Sequence, residues 1–143
     1  MSVTVDKSIT VNAPIADVLA IVRDVNSQSE WFPGTISSEV TETYDDGLVK
    51  RAHLVNDVKI AKDEFDLDYT HTDTSMSWKL VAPSKSQKNQ TGSWTLVDKG
   101  GATEVTFSLM VDSSLPVPGF LQKNTIKGTA SGAVEGLKKR AEG

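Results

Sequence analysis

Apolar and polar residues alternate through most of this chain, and the places where the alternation fails mark its helices and turns. Val3, Val5, Ile9 and Val11 alternate with Thr4, Asp6, Ser8 and Thr10, the spacing of a strand with one face buried. The pattern stops at Asn12-Ala13-Pro14. Proline suits a first helical position, and Asp17 adds a favourable charge in or near the first turn. Ile15, Val18, Leu19 and Val22 then follow helical spacing to about Asp24. Ser27-Gln28-Ser29-Glu30 matches a capping box and predicts a second short helix. Pro33-Gly34 closes it directly after the aromatic pair Trp31-Phe32, which either seals the core or stands at the mouth of a pocket.

From Thr35 to Asp112 the pattern is strand after strand. Ile36, Val40 and Tyr44 alternate with Thr35, Ser37, Glu39, Thr41 and Thr43, and Asp45-Asp46-Gly47 is a hairpin signal. Leu48 to Val58 reads as a strand whose two faces are less distinct. Next, Phe65, Leu67 and Tyr69 oppose Lys62, Glu64, Asp66 and Asp68, apolar on one side and charged on the other. Asp73-Thr74 turns the chain into Met76, Trp78 and Leu80, and Pro83 to Asn89 is a polar connection. Trp94 and Leu96 mark a further strand, Lys99-Gly100-Gly101 a turn, and Val105, Phe107, Leu109 and Val111 the last strand.

The closing stretch, Leu115 to Glu142, contains prolines only in its lead-in, Leu115-Pro116-Val117-Pro118-Gly119-Phe120. Wound at about 3.6 residues per turn, it gathers Ile126, Ala130, Ala133, Leu137 and Ala141 into one stripe. Beside that stripe lie Thr129, Gly132 and Gly136, with Gly128 nearby, where a core helix ordinarily carries large side chains. Glycine in a helix costs about 1 kcal/mol relative to alanine, so these need a reason. One is close approach to another backbone. The other is a shallow inner face that leaves a space between helix and sheet, and a space with apolar walls is a ligand site.

The order is a strand, two short helices, about six antiparallel strands and one long helix. Short turns between successive strands imply a meander that curls as its twist accumulates. Only the last helix is long enough to cover the apolar face. With 143 residues and no internal repeat or linker, the chain reads as one domain over residues 1–143.

Composition narrows the function. The absence of cysteine removes thiolate zinc sites, redox motifs and disulfides, and the histidines, His53 and His71, are too few for a histidine-rich metal cluster. A formal net charge of -4 argues against nucleic acid, which demands basic surface. No run approaches the roughly 18 apolar residues of a membrane span, and the first residues carry neither the basic nor the apolar region of a signal peptide. The expectation is a cytoplasmic protein without a transmembrane segment.

Several motifs in order carry a family resemblance: Ile9-Thr10-Val11-Asn12-Ala13-Pro14 with Val18 following, Trp31-Phe32-Pro33, Met76-Ser77-Trp78, Gly92-Ser93-Trp94 and Pro116-Val117-Pro118-Gly119-Phe120. Over nearly its whole length the chain resembles the START-like helix-grip superfamily (SRPBCC-type), in its bacterial polyketide cyclase/dehydrase and coenzyme Q-binding branch. The resemblance implies an α+β helix-grip fold, a curved antiparallel sheet of about seven strands wrapped on a long C-terminal helix. It also implies a cavity for a hydrophobic small molecule or lipid. It does not choose among carriers, sensors and enzymes, because these motifs are turns, caps and core aromatics.

The residues themselves offer little chemistry. There is no cysteine nucleophile and no Gly-x-Ser-x-Gly elbow. Arg51 and His53 share a face; turned inward they orient a ligand carbonyl or carboxylate, turned outward they are surface residues. His71 shares the parity of Tyr69 but lies at a strand end. Glu64, Asp66 and Asp68 read as solvated. Tyr69 and Tyr44 are phenols able to donate a hydrogen bond to a ligand carbonyl, or to a backbone carbonyl in the core. The expected ligand wall is Phe65, Leu67, Tyr69, Met76, Trp78, Leu80, Trp94, Phe107, Leu109, Thr129 and Ala133, with Arg51 and His53 as polar candidates. The expected function is binding or transport of a hydrophobic small molecule or lipid without metal or cofactor. The alternative is a cyclase or dehydratase using the same cavity, and a protein-interaction module ranks behind both.

Overall fold

The computed structural model describes residues 2–58 and 61–143. Strand β1 (Ser2–Val11) leads into helix α1 (Ile15–Arg23) and a 3-10 segment, Val25–Glu30. Six strands follow: β2 (Thr35–Thr43), β3 (Val49–Asp57), β4 (Lys62–Thr72), β5 (Ser75–Leu80), β6 (Gln87–Asp98) and β7 (Thr103–Ser113). Helix α2 (Gly119–Glu142) ends the chain. All seven strands form one antiparallel sheet in the order β1-β7-β6-β5-β4-β3-β2, so the meander closes by bringing β1 beside β7. This is the expected α+β helix-grip arrangement.

Local departures have local causes. Pro14 precedes α1 as its N-cap residue, with extended backbone. The 3-10 segment begins at Val25, and Ser27 caps nothing. Register irregularities near the start of β2 turn Thr35 inward and leave Ile36 exposed, the reverse of the simple alternation. Strand β6 opens at Gln87, inside the stretch expected to be a connection.

The two halves of α2 do different work. Ala130, Ala133, Val134 and Leu137 are fully buried, and all lie at or beyond the middle of the helix. The C-terminal half packs near β1 and α1, and it is tied down by polar contacts. Lys138 Nζ donates to the Thr10 carbonyl at 2.8 Å, the Asn12 amide donates to Glu142 Oε2 at 2.7 Å, and Arg140 pairs with Glu30 at 2.8 Å. The glycines of this half are docking points. A Cβ on Gly136 would overlap the Trp31 carbonyl oxygen, and one on Gly132 would lie 3.0 Å from Pro33 Cγ. The small inner face is therefore filled by the Trp31–Pro33 stub. Close approach explains Gly132 and Gly136, and any open space must lie along the other half of the helix.

Gly128 has nothing within 4 Å of the position its Cβ would take. The two helix glycines therefore predict opposite outcomes. Gly128→Ala should stabilise the protein by up to about 1 kcal/mol through helix propensity. Gly136→Ala should destabilise it despite the same propensity gain, because Trp31 must move. Urea denaturation of both variants measures the sign of each change.

Candidate ligand cavity

Where the N-terminal half of α2 crosses the sheet, it stands off from the strands and leaves a cavity of about 430 Å³. That size lies within the usual range for small-molecule sites. Antiparallel pairing brings several strand ends to the open end of this space: the starts of β1, β2 and β6, and the ends of β3 and β7. The rim includes Val58, Ser86 and Leu115, with Val117 and Leu121 beside it at 41% and 44% exposure. Opposite the sheet, Thr125, Ile126 and Thr129 of α2 form the roof.

Of the expected wall, Phe65, Leu67, Tyr69, Trp78, Trp94, Leu109 and Thr129 line the cavity. Tyr69, Trp78, Gly92 and Leu109 stand successively opposite one another across four strands. Gly92 lets the Trp78 indole lie flat across β6, since a Cβ there would overlap the ring. Met76, Leu80, Phe107 and Ala133 are buried in the core and lie outside the cavity wall. Phe107 is covered by Trp94 at 4.5 Å and Phe32 at 5.7 Å between ring centroids, so the aromatic stub seals this row. Phe32 itself faces the cavity, and thus both seals and lines.

Arg51 and His53 do not reach the cavity. Both lie on the outer face, where Arg51 makes a bidentate pair with Asp68 at 2.6 and 3.0 Å. His53 meets Asp66 at 2.7 Å and Glu64 at 3.1 Å, and these carboxylates, Asp66 foremost, raise its pKa. Glu64, Asp66 and Asp68 of β4 thus pair with Arg51 and His53 of β3. Tyr44 is on that side too, donating to the Tyr69 carbonyl at 2.6 Å. His71 Nε2 donates to the Val49 carbonyl at 2.7 Å.

The polar part of the wall is a directed chain of hydrogen bonds. Trp78 Nε1 donates to Gln90 Oε1 at 2.9 Å, Gln90 Nε2 donates to Gln87 Oε1, and Gln87 Nε2 reaches Asp63 Oδ2 at 3.4 Å. Asp63, 1% exposed, also accepts from Ser84 Oγ at 2.7 Å, from Ser86 Oγ and from the Lys85 amide at 3.1 Å. Burial pushes its pKa up, but these donors outweigh burial and hold it below the ordinary carboxylate value. Tyr69 is different. It is 2% exposed, lines the cavity, and its hydroxyl has no hydrogen-bond partner among the described residues. Burial raises its pKa, so it stays protonated at neutral pH.

The family profile described as polyketide cyclase/dehydrase and lipid transport matches residues 2–142. The chain belongs to that family. A search of curated proteins by sequence finds no match. Among solved structures, a START superfamily protein from Mycobacterium smegmatis is similar, at 22% identity over 97% of each chain with a TM-score of 0.88. The ZhuI aromatase/cyclase from Streptomyces sp. R1128 is similar at 13% identity, over 99% of this chain and 94% of the other, with a TM-score of 0.85. A STAR-related lipid transfer protein fragment from Xanthomonas axonopodis follows at 19%, over 98% and 86%, with a TM-score of 0.72. At these identities the likeness is one of fold.

Within the polyketide cyclase/dehydrase and lipid transport fold of this chain, the wall residues that escaped sequence reading are chiefly polar or on loops. Gln87 and Gln90 are three apart yet face the same way, because a bulge between Gln87 and Asn89 shifts the register. Leu54 and Asn56 sit on the strand whose faces were indistinct, and Leu115, Val117 and Leu121 belong to the lead-in and first turn of α2. Asp63 shared the parity of Phe65, which was its one sequence signal.

A depressed carboxylate contributes stability that is present above its unfolded pKa and lost as pH falls through its folded one. Asp63→Asn should therefore destabilise the protein at neutral pH, by on the order of 3 kcal/mol. It should also flatten the loss of stability below about pH 4. Chemical denaturation across that pH range measures both.

Proposed function

We propose that this chain binds and carries a hydrophobic small molecule or lipid in the cavity between its sheet and the N-terminal half of α2. The observation that carries the reading is an apolar-walled space of about 430 Å³ lined by Tyr69, whose hydroxyl has no hydrogen-bond partner among the described residues. That hydroxyl is a donor available to the cavity, and a ligand carbonyl can accept its hydrogen bond. The family description includes lipid transport, and one similar structure is a lipid transfer protein. Among the described residues no helix is long and apolar enough to cross a membrane. With its net charge of -4, the proposed setting is the cytoplasm, with no nucleic-acid partner.

A cyclase-type activity is the second reading, in keeping with the similar aromatase/cyclase. Tyr69 can donate to a substrate carbonyl and stabilise developing negative charge. Proton removal is less well served. Among the described residues, the cavity's ionisable side chains are Tyr69, which stays protonated, and Asp57, which lies at the exposed end of β3. Binding needs no base.

Thr129 faces the cavity from α2, so Thr129→Trp should fill it. The wild type should bind the neutral dye N-phenyl-1-naphthylamine with a rise in its fluorescence. The variant should bind it at least about tenfold more weakly while melting at a similar temperature. Equal dye binding by the filled variant would place the dye elsewhere and end the reading.

A further inference from the structure

We infer that the cavity selects neutral ligands bearing a hydrogen-bond acceptor, such as a ketone, ester, lactone or quinone carbonyl, and discriminates against the carboxylate of the same chain. The inference rests on the proposed binding function and names the chemical class of its ligand.

The first ground is the sign of the charges around the space. Among the described lining residues there is no lysine, arginine or histidine, and the one carboxylate, Asp57, is at the mouth. Arg51 and His53, the two cations that the sequence offers as candidates for the cavity wall, are held on the outer face by Asp68, Asp66 and Glu64. A carboxylate entering the cavity would lose its water and meet no counter-ion among the described lining residues, which is strongly unfavourable in an apolar site.

The second ground is the direction of the hydrogen bonds in the wall. An indole N–H can only donate and an ionised carboxylate can only accept. The chain from Trp78 to Asp63 therefore has a fixed sense, and both glutamine amides between them are oriented by it. Each side-chain nitrogen of Gln87 and Gln90 uses one N–H within the chain and keeps a second. Both residues line the cavity and are more than nine-tenths buried. Tyr69 adds a hydroxyl with no partner among the described residues. The glutamine and Tyr69 side of the wall thus offers donors, with Asn56 Oδ1 as an unpartnered acceptor on β3, while Asp63 directly behind Gln87 and Ser86 contributes negative potential. Donors alone would suit an anion. Donors backed by a buried carboxylate and no cation suit a neutral acceptor.

The test is displacement of N-phenyl-1-naphthylamine by three molecules of matched chain: methyl laurate, lauric acid and dodecane. At pH 8, where the acid is ionised, methyl laurate should displace the dye at about tenfold lower concentration than laurate. In Tyr69→Phe, confirmed folded by its circular dichroism melt, displacement by methyl laurate should weaken about fivefold while dodecane is unchanged. Laurate displacing as well as its ester, or Tyr69→Phe weakening ester and alkane alike, would overturn the inference and leave the binding function standing. No dye binding by the wild type would remove the binding function and this inference with it.

Discussion

One docking contact determines where this molecule is solid and where it is hollow. The Trp31–Pro33 stub presses a carbonyl and a proline ring against Gly136 and Gly132, so closely that a methyl group at Gly136 would collide. Around this contact, Trp31, Phe32, Trp94 and Phe107 form a continuous aromatic cluster. The contact pins the C-terminal half of α2 to the sheet, with Lys138, Arg140 and Glu142 holding it from outside. Pinned at one end, the helix crosses the other end of the sheet at a distance its Thr125, Ile126 and Thr129 side chains do not fill. The cavity is the geometric remainder of a tight contact elsewhere.

The hydrogen-bond chain from Trp78 to Asp63 addresses a second constraint. A cavity next to the strand ends needs a connection between β5 and β6 that stays in place without an apolar core beneath it. Asp63 fixes residues 84–87 by gathering their side-chain and backbone donors onto one carboxylate. Every member of the chain from Trp78 to Asp63 has at least one partner, which fixes the orientation of both glutamine amides. Elsewhere on the cavity wall, the Tyr69 hydroxyl and Asn56 Oδ1 have no hydrogen-bond partner among the described residues.

The architecture was legible because β4, β5 and β7 alternate cleanly, so one apolar face was visible residue by residue, and because a single long helix was available to cover it. The wall was legible only in part. Phe65, Leu67, Tyr69, Trp78 and Leu109 follow from parity, but parity cannot say how far along a strand the cavity extends, and Phe107 falls beneath the aromatic stub while Met76 is buried in the core. Arg51 and His53 were ambiguous because their partners, Asp68 and Asp66, lie on another strand. The helix glycines announced closeness to something, yet what they approach is far away in sequence. Gln87 and Gln90 were hidden by a bulge, a feature that leaves no periodic trace.

Because the opening is framed by Val58 just past β3, by the connection between β5 and β6, and by that between β7 and α2, its dimensions are set by segments outside the regular sheet. Connections of this kind tolerate insertion and deletion far better than strands do. The same seven-stranded frame can therefore be retuned for bulkier or slimmer cargo by lengthening or trimming three short segments, with the aromatic seal at the opposite end left untouched.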